Sequence, residues 1–212
     1  MKHLIVIGIG GASRDLQGIA EESLGYGVEW DFKGFLDGDR KAPDWEYELL
    51  EKPVLGDVFS YEIEEDDVFI CAVGATAVRK RLIEAIAGRG GKFLSVIHKT
   101  AFIHEKAKIG DGVLIAPHTF IGADAELADH VTLLSCSSIG HDAKIGIYSS
   151  IMGHVSIDGR VRIGQMVYIG DSANVLQDAK IGDEAFVGAS SLVLRKVKVG
   201  DKVFGVPAVS IL

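Results

Sequence analysis

The chain has 212 residues, of which 48% are hydrophobic and 25% charged, and a formal net charge of −8. This composition is typical of a globular protein and not of a disordered or membrane protein. The acidic balance argues against nucleic acid as the main partner, because a phosphate backbone requires a basic surface. Cys71 and Cys136 are too few for a disulfide framework. The first apolar run, Leu4–Ile7, is too short for a signal peptide or a membrane span, so we expect a cytoplasmic protein without a membrane partner.

The N-terminal segment has the pattern of a strand, a glycine loop and a helix. The apolar run Leu4–Ile7 predicts the strand, Gly8–Ser13 the loop, and the spacing of the next apolar residues the helix. In Rossmann-like folds this unit holds phosphate at the helix N-terminus. A full dinucleotide fingerprint would need a third glycine at position 13, which is Ser13. A tight turn that binds nothing therefore stays open as an alternative.

Two further strands are predicted to end in turns that could bind a ligand. The strand Phe32–Leu36 is followed by Asp37 and Gly38, and the strand Val68–Val73 is followed by Gly74. An acidic residue at the end of the second strand commonly meets a ribose hydroxyl, and ligands of open α/β sheets bind at the carboxyl ends of the strands.

A helix over 78–86 and a strand over 93–96 complete a β-α-β-β-α-β order. This order predicts a Rossmann-like α/β domain over residues 1–96 with a nucleotide pocket. Turn chemistry alone is the alternative explanation of the glycines.

The second half of the chain has a strict period of six. From Ile97 to Val199 every sixth residue is aliphatic, and the residue two before each is small or β-branched. Such a period is the signature of a hexapeptide-repeat, left-handed parallel β-helix, here over residues 97–212, with about three units per coil and about six coils. Glycine follows half of the aliphatic positions, which we interpret as a left-handed backbone or a close approach to a ligand.

Seven segments combine with this order to suggest a family. They are Gly8–Asp15, Phe35–Asp37, Val73–Gly74 with Arg79–Lys80, Val96–Ala101, Ser138–Asp142 and Gly205–Ala208. Over nearly its whole length the chain resembles bacterial sugar acyltransferases that join a Rossmann-like domain to a left-handed β-helix. This group includes the N-acetyltransferases of nucleotide-linked 4-amino sugars, such as the bacillosamine and perosamine pathway enzymes, and the sialic acid O-acetyltransferase-like proteins.

The resemblance implies roles for particular residues. It places the general base on His141, with Asp142 as its acidic neighbour, and implies acetyl-CoA as co-substrate. It also implies a homotrimer that holds acetyl-CoA in the groove between neighbouring subunits. The implied nucleotide-sugar residues are Gly10, Gly11, Ala12, Asp37, Gly38 and Gly74, and the implied acetyl-CoA residues are Gly159, Asp171 and Ala189.

Two features of the sequence bear on the implied catalytic pair. Some family members have a second histidine nine residues after the base, where this chain has Ser150, while a histidine occurs at His154. In addition, the side chains of adjacent residues usually point apart, so Asp142 needs the geometry of a corner to reach His141. From the resemblance we predict transfer of an acetyl group to the amino group of a nucleotide-linked 4-amino sugar, with O-acetylation of sialic acid or another sugar as the alternative.

Two other classes of function stay open. His118 and His154 are two coils apart with Cys136 between them, as in a zinc carbonic anhydrase of this fold. The third ligand of that family would fall on Gly159, so we predict no metal site. A non-catalytic nucleotide-sugar binder is the other class. The basic run Arg195, Lys196, Lys198 and Lys202 is either a solvated face or a site for the phosphates of coenzyme A.

Overall fold

The computed structural model describes residues 1–38 and 44–211, without the side chains of Asp44 and Glu46. The chain divides into two compact units, Met1–Lys99 and Thr100–Leu212, whereas the repeat pattern places the boundary between residues 96 and 97. None of the described helices is both long and apolar enough to span a bilayer.

The first unit is a parallel sheet with helices. Its elements are β1 (Lys2–Ile7), α1 (Gly11–Glu21), β2 (Trp30–Asp37), α2 (Asp44–Glu48), β3 (Val54–Asp57), β4 (Asp67–Cys71), α3 (Thr76–Ala87), β5 (Lys92–Phe93) and β6 (Val96–Ile97). The five-stranded sheet has the order β3-β2-β1-β4-β5 with parallel pairing throughout. This is the Rossmann-type order, in which the direction of winding changes between β1 and β4.

The core of this unit follows the apolar pattern of the sequence. Leu4–Ile7 of β1 is fully buried at the centre of the sheet, and α3 packs Leu82, Ile83 and Ile86 inward. Sequence patterning missed α2 and β3. The strand β3 is short, follows Pro53 and contains Gly56, and such residues weaken a strand signal and are typical of sheet edges.

The second unit is a parallel β-helix with three faces. The first face comprises Phe102–Ile103, Phe120–Ile121, Ser138–Ile139, Ser156–Ile157, Asn174–Val175 and Leu192–Val193. The second face comprises Lys108–Ile109, Glu126–Leu127, Lys144–Ile145, Arg162–Ile163, Lys180–Ile181 and Lys196–Val197. The third face includes Leu114–Ile115, Thr132–Leu133, Ser150–Ile151, Tyr168–Ile169, Phe186–Val187 and Lys202–Phe204, the last of which pairs antiparallel with Val209–Ser210.

The first and second faces have six strands each, which gives the six coils that the period predicts. The predicted fold class is confirmed. The corners of successive coils stack into three columns, which we call edges. The first edge joins the first and second faces, and the second edge joins the second and third faces. The third edge joins the third and first faces. Consecutive coils pair at an offset of 18 residues, as in Ile139 with Ile157. The aliphatic residue of each strand points inward, and Ile121, Ile139 and Ile151 are fully buried.

The corners correct one expectation from the sequence. Thirteen non-glycine residues at every sixth position from His118 to Ser190 have the left-handed backbone, with φ near 60°. Eight of the nine glycines that follow the aliphatic residues lie two positions before a left-handed residue; the exception is Gly200, which itself has φ 69°. At Gly140 an added Cβ would stand 2.6 Å from the backbone of the next coil, at Asp158 and Gly159. Glycine occurs there because the next coil passes so close, and not because φ is positive.

The last predicted inward position is wrong. Val199 is 72% exposed, whereas Val197 and Val203 are buried. The reason is that Ile181 pairs with Val197 at an offset of 16 residues, because the preceding corner is two residues shorter than the others.

Candidate active site

A cavity of about 680 Å³ opens in the first unit at the carboxyl ends of β1, β2 and β4. This is the point where the winding of the sheet reverses, which is where ligands of such sheets bind. The structure brings together all six residues predicted to bind the nucleotide sugar. The lining includes Gly10, Gly11, Ala12, Asp37, Gly38 and Gly74.

Two helix N-termini meet this cavity. The cap residue of α1 is Gly10 and that of α3 is Ala75; neither provides a side-chain cap, and neither helix has an acidic residue in its first turn. The first backbone N–H groups of a helix lack partners within the helix and carry a partial positive charge. An added Cβ at Gly10 or Gly74 would meet nothing within 4 Å. The loops therefore leave room for an anionic group against the backbone.

Asp37 is the carboxylate of the cavity, and neighbouring groups hold it in place. Its Oδ1 accepts a hydrogen bond from the Gly38 N–H at 2.8 Å, and its Oδ2 accepts one from the Tyr47 hydroxyl at 2.5 Å. Each oxygen of a carboxylate can accept more than one hydrogen bond. This fixed acceptor can bind a hydroxyl or an N–H donor of a ligand.

Ser13 is a cavity residue that sequence reasoning did not assign. It lines the cavity from the first turn of α1, and its side chain is buried. Its Oγ has no hydrogen-bond partner among the described residues and lies 3.2 Å from the position that a Cβ at Gly8 would occupy. The hydroxyl therefore stands where the dinucleotide fingerprint would have its third glycine.

The second unit holds the predicted catalytic pair on its first edge. His141 Nδ1 lies 2.7 Å from Asp142 Oδ2, and the two side chains are 54% and 52% exposed. Asp142 has φ 59°, and this left-handed turn brings the carboxylate back to the ring of its neighbour. A carboxylate only accepts hydrogen bonds, so Nδ1 is the donor, and in the neutral ring Nε2 then keeps its lone pair. The pair can therefore accept a proton at Nε2.

The three predicted acetyl-CoA residues are not brought together within one chain. Gly159 lies directly after His141 on the first edge, one coil further on. Asp171 and Ala189 lie on the third edge, where Asp171 Oδ1 accepts a hydrogen bond from the Gly153 N–H at 3.1 Å and the Ala189 backbone passes next to Gly170. One edge thus holds the predicted base, and a different edge of the same prism holds two of the predicted co-substrate residues.

A bidentate ion pair follows the predicted catalytic pair along the first edge. Arg160 donates from Nε and from a terminal nitrogen to the two oxygens of Asp178, at 2.7 and 2.9 Å. The hydrogen bonds and charge of Arg160 lower the pKa of Asp178 below its ordinary value. The Arg162 guanidinium also donates to the Asp142 carbonyl oxygen, which fixes the corner from the second face.

The second face carries a column of cations. Lys144, Arg162, Lys180 and Lys196 occupy consecutive register positions, although like charges directly opposite each other destabilise a sheet. At the start of the column, Glu126 bridges Lys108 and Lys144 at 3.3 and 3.0 Å. The hydrogen bonds from these two lysines lower the pKa of Glu126, and that from Lys144 has the larger effect.

The column ends in a groove that can bind anions. The groove has a volume of about 490 Å³ and includes Arg162, Lys180, Lys196 and Lys198; none of the described residues that line it is acidic. Of the basic run in the sequence, Lys196 and Lys198 line this groove, whereas Lys202 lies on the third face.

Comparisons with known proteins agree with this geometry. Residues 3–86 match the family model described as the PglD N-terminal domain. This range covers most of the first unit, Met1–Lys99. A search of curated protein sequences finds no match to the chain.

Solved structures match the whole chain, and so extend beyond the PglD N-terminal domain. The acetyltransferase domain of PglB from Neisseria gonorrhoeae FA1090 superposes with a TM-score of 0.88 at 26% identity, covering 100% of both chains. The same domain in complex with acetyl coenzyme A gives a TM-score of 0.87 at 27% identity, covering 99% of each chain. Perosamine N-acetyltransferase from Caulobacter crescentus, in complex with CoA and GDP-perosamine, shares the fold. Its TM-score is 0.88 at 22% identity, and the match covers 99% of this chain and 97% of that chain.

These matches confirm the resemblance to a nucleotide-sugar acetyltransferase family with a β-helix. His118, Cys136 and His154 form the column on the third edge that the sequence predicted. The Cys136 N–H donates to the Pro117 carbonyl, and the His154 N–H to the Ser135 carbonyl. Among the described residues, no group of three or more His, Cys, Asp or Glu side chains is placed to hold a metal ion.

Proposed function

We propose that this protein is an acetyl-CoA-dependent acetyltransferase that acylates the amino group of a nucleotide-linked 4-amino sugar. The observation that carries the proposal is the His141–Asp142 pair, which leaves Nε2 as a base on the exposed edge of the β-helix. The PglB acetyltransferase domain, solved with acetyl coenzyme A, supports the choice of co-substrate. The perosamine N-acetyltransferase, solved with CoA and GDP-perosamine, has the same fold, and the cavity of the first unit suits a nucleotide.

In the proposed reaction, Nε2 of His141 accepts a proton from the neutral amine as the nitrogen forms a bond to the thioester carbonyl carbon. Asp142 stabilises the imidazolium that results, and a backbone N–H at a nearby corner stabilises the oxyanion. The carbon–sulfur bond then breaks, and the leaving thiolate takes the proton from His141. The products are the N-acetylated sugar and the free thiol of CoA, and His141 returns to its neutral form. Activity is expected to fall at low pH, since a protonated amine cannot attack.

The positions of the co-substrate residues support a homotrimer. Asp171 and Ala189 lie on a different edge from His141 and Gly159, so a groove between two copies would place the third edge of one copy against the first edge of its neighbour. We propose that acetyl-CoA binds in such a groove of a cytoplasmic homotrimer. Light scattering of the purified protein tests the oligomeric state, and a monomeric enzyme with full activity would contradict this arrangement.

The direct test of the function is release of CoA thiol. The protein is incubated with acetyl-CoA and a panel of nucleotide-linked 4-amino sugars, with sialic acids as hydroxyl acceptors. Thiol release with an amino sugar supports the proposal. Release with the sialic acids alone would replace it by O-acetylation. Nucleotide-sugar binding without any thiol release would replace it by a non-catalytic binder.

We expect Asp37→Asn to weaken binding of the nucleotide sugar. The fixed carboxylate accepts hydrogen bonds as a charged group, which contributes about 1.5–3 kcal/mol. KM for the nucleotide sugar should therefore rise about 10- to 100-fold, while KM for acetyl-CoA stays unchanged. Asp57→Asn is the matched control, because Asp57 ends the neighbouring strand β3 and its Oδ1 accepts a hydrogen bond from the Phe59 N–H. Equal effects of the two substitutions would contradict the assignment.

We expect the cations of the second face to bind the phosphates of acetyl-CoA. Replacing Lys180 and Lys196 together by glutamine should raise KM for acetyl-CoA about tenfold and weaken its dependence on salt, because the charge interactions that salt screens are removed. Lys108→Gln is the control, since Lys108 lies on the same face but pairs with Glu126. An unchanged KM would show that this column is a solvated face.

A further inference from the structure

Gly159 lies against the ring of His141. The two residues occupy the same edge one coil apart, and the Arg160 N–H donates to the His141 carbonyl oxygen at 2.8 Å. A Cβ added at Gly159 would stand 2.5 Å from His141 Nε2, 2.7 Å from Cε1 and 3.0 Å from Cδ2. All three atoms belong to the imidazole ring and none to the backbone. The ring therefore occupies the space that any side chain at position 159 would need.

The backbone itself does not require glycine at this position. The left-handed residue of this corner is Arg160, with φ 61°, and Gly159 is not among the positive-φ glycines. On the same edge, the corresponding corner residue is Ala123 two coils before Gly159 and Gln177 one coil after it. The corner thus accepts a side chain where no ring lies against it.

We infer that Gly159 is a positioning residue for the catalytic base, in addition to any contact with the co-substrate. Two contacts then set the ring. Asp142 holds Nδ1 from one side, and the bare backbone of Gly159 lets Nε2 settle against the next coil. Because Nδ1 is engaged, Nε2 is the nitrogen that meets the acceptor, and a methyl group at position 159 would displace the ring and cover Nε2. The effect of Gly159 on catalysis rests on the proposed function, whereas the contact between Gly159 and the His141 ring does not.

The test replaces Gly159 by alanine and follows His141 directly. In the ligand-free protein, the NMR signals of the His141 ring are expected to shift in Gly159→Ala. Gly153→Ala is the matched control for these signals: Gly153 has the corresponding corner position on the third edge, and its Cβ would meet nothing closer than 3.3 Å. Ring signals that stay at their wild-type positions in Gly159→Ala would overturn the inference.

Kinetics separate positioning from co-substrate binding. A displaced base should lower kcat about 10- to 100-fold, since misplacement by about 1 Å can cost that much, with little change in KM for acetyl-CoA. In a His141→Ala background, Gly159→Ala should add no further loss. The contrary result is a rise in KM for acetyl-CoA alone, with a loss of activity that multiplies with that of His141→Ala in the double variant. It would assign Gly159 to co-substrate binding and overturn the positioning role.

A folding defect would still leave the inference testable. If the collision with the ring destabilises Gly159→Ala, removal of the ring should restore stability, so His141→Ala/Gly159→Ala should melt close to His141→Ala. A double variant as unstable as Gly159→Ala would show that the glycine serves another purpose. If the wild type releases no thiol with any acceptor, the proposed function fails, while the NMR and melting comparisons still decide the contact between Gly159 and the ring.

Discussion

Replacing His141 by alanine is expected to lower kcat by about 10²–10⁴-fold, the usual contribution of a general base. The amine then loses the group that accepts its proton as it attacks the thioester. KM for acetyl-CoA and for the nucleotide sugar should change little, because the ring contributes mainly in the transition state. Thiol release at saturating concentrations of both substrates measures the effect.

Two companion variants make this result specific. Asp142→Asn keeps a side chain that tolerates the left-handed backbone but removes the charge that stabilises the imidazolium, so a smaller loss of kcat is expected. His104→Ala is the control for loss of a histidine: His104 is also a corner residue, and its Nδ1 accepts a hydrogen bond from the Lys106 N–H at 3.2 Å. Full kcat in His141→Ala with the true acceptor would disprove the assignment of the base.

Replacing Asp67 by asparagine is expected to lower the free energy of unfolding of the first unit by about 3 kcal/mol. Asp67 is 2% exposed at the start of β4. Its Oδ1 lies 2.7 Å from Lys33 Nζ, and its Oδ2 accepts hydrogen bonds from the Tyr61 hydroxyl and the Glu64 N–H, each at 2.9 Å. The variant leaves the ammonium of Lys33 without its buried partner. Urea unfolding at neutral pH, followed by Trp30 fluorescence in β2, measures the change.

The same carboxylate makes stability depend on pH. Burial raises the pKa of Asp67, but Lys33 and the two hydrogen bonds outweigh burial and lower the pKa below its ordinary value of 3.8. A carboxyl whose pKa is depressed by folding stabilises the protein above its unfolded pKa, and this contribution is lost as the pH falls through the folded pKa. Wild type should therefore lose more stability below about pH 4 than Asp67→Asn does.

The control for this prediction is the exposed partner of the same lysine. Lys33 Nζ also lies 2.8 Å from Glu64 Oε2, and the Glu64 side chain is 69% exposed. Because exposed ion pairs contribute about 0–1 kcal/mol, Glu64→Gln should change the free energy of unfolding by less than Asp67→Asn. Similar losses in both variants would show that burial of Asp67 does not control the stability of this unit.

Much of the fold was predictable because it depends on local periodicity. An aliphatic residue at every sixth position can be buried only by coils of three units, so the prism and its number of coils follow from the period. The exception, Val199, arises from a corner shortened by two residues, which leaves the apolar character of the position unchanged. Similarly, the carboxyl ends of predicted parallel strands meet at one edge of a sheet, so Gly10, Asp37 and Gly74 could be assigned to one cavity.

Contacts across coils and loops were not predictable in this way. Ser13 was recognised as a departure from the glycine pattern, but only the packing of α1 against Gly8 shows its Oγ buried without a partner. Nothing in the sequence separates Gly159 from Asp171 and Ala189, since all three are corner residues. Their distribution over two edges follows from which corner of the triangle each unit supplies.

The period of six thus determines by itself that the second unit is a β-helix and that His141 stands at a corner, because burial of the aliphatic side chains sets the register of the coils. Whether that histidine can act as the proposed base depends on tertiary structure. The left-handed turn at Asp142 brings the carboxylate to Nδ1, against the tendency of adjacent side chains to point apart. The next coil then places the bare backbone of Gly159 beneath Nε2. Both contacts depend on backbone conformation and on an offset of 18 residues, which local sequence patterns do not encode.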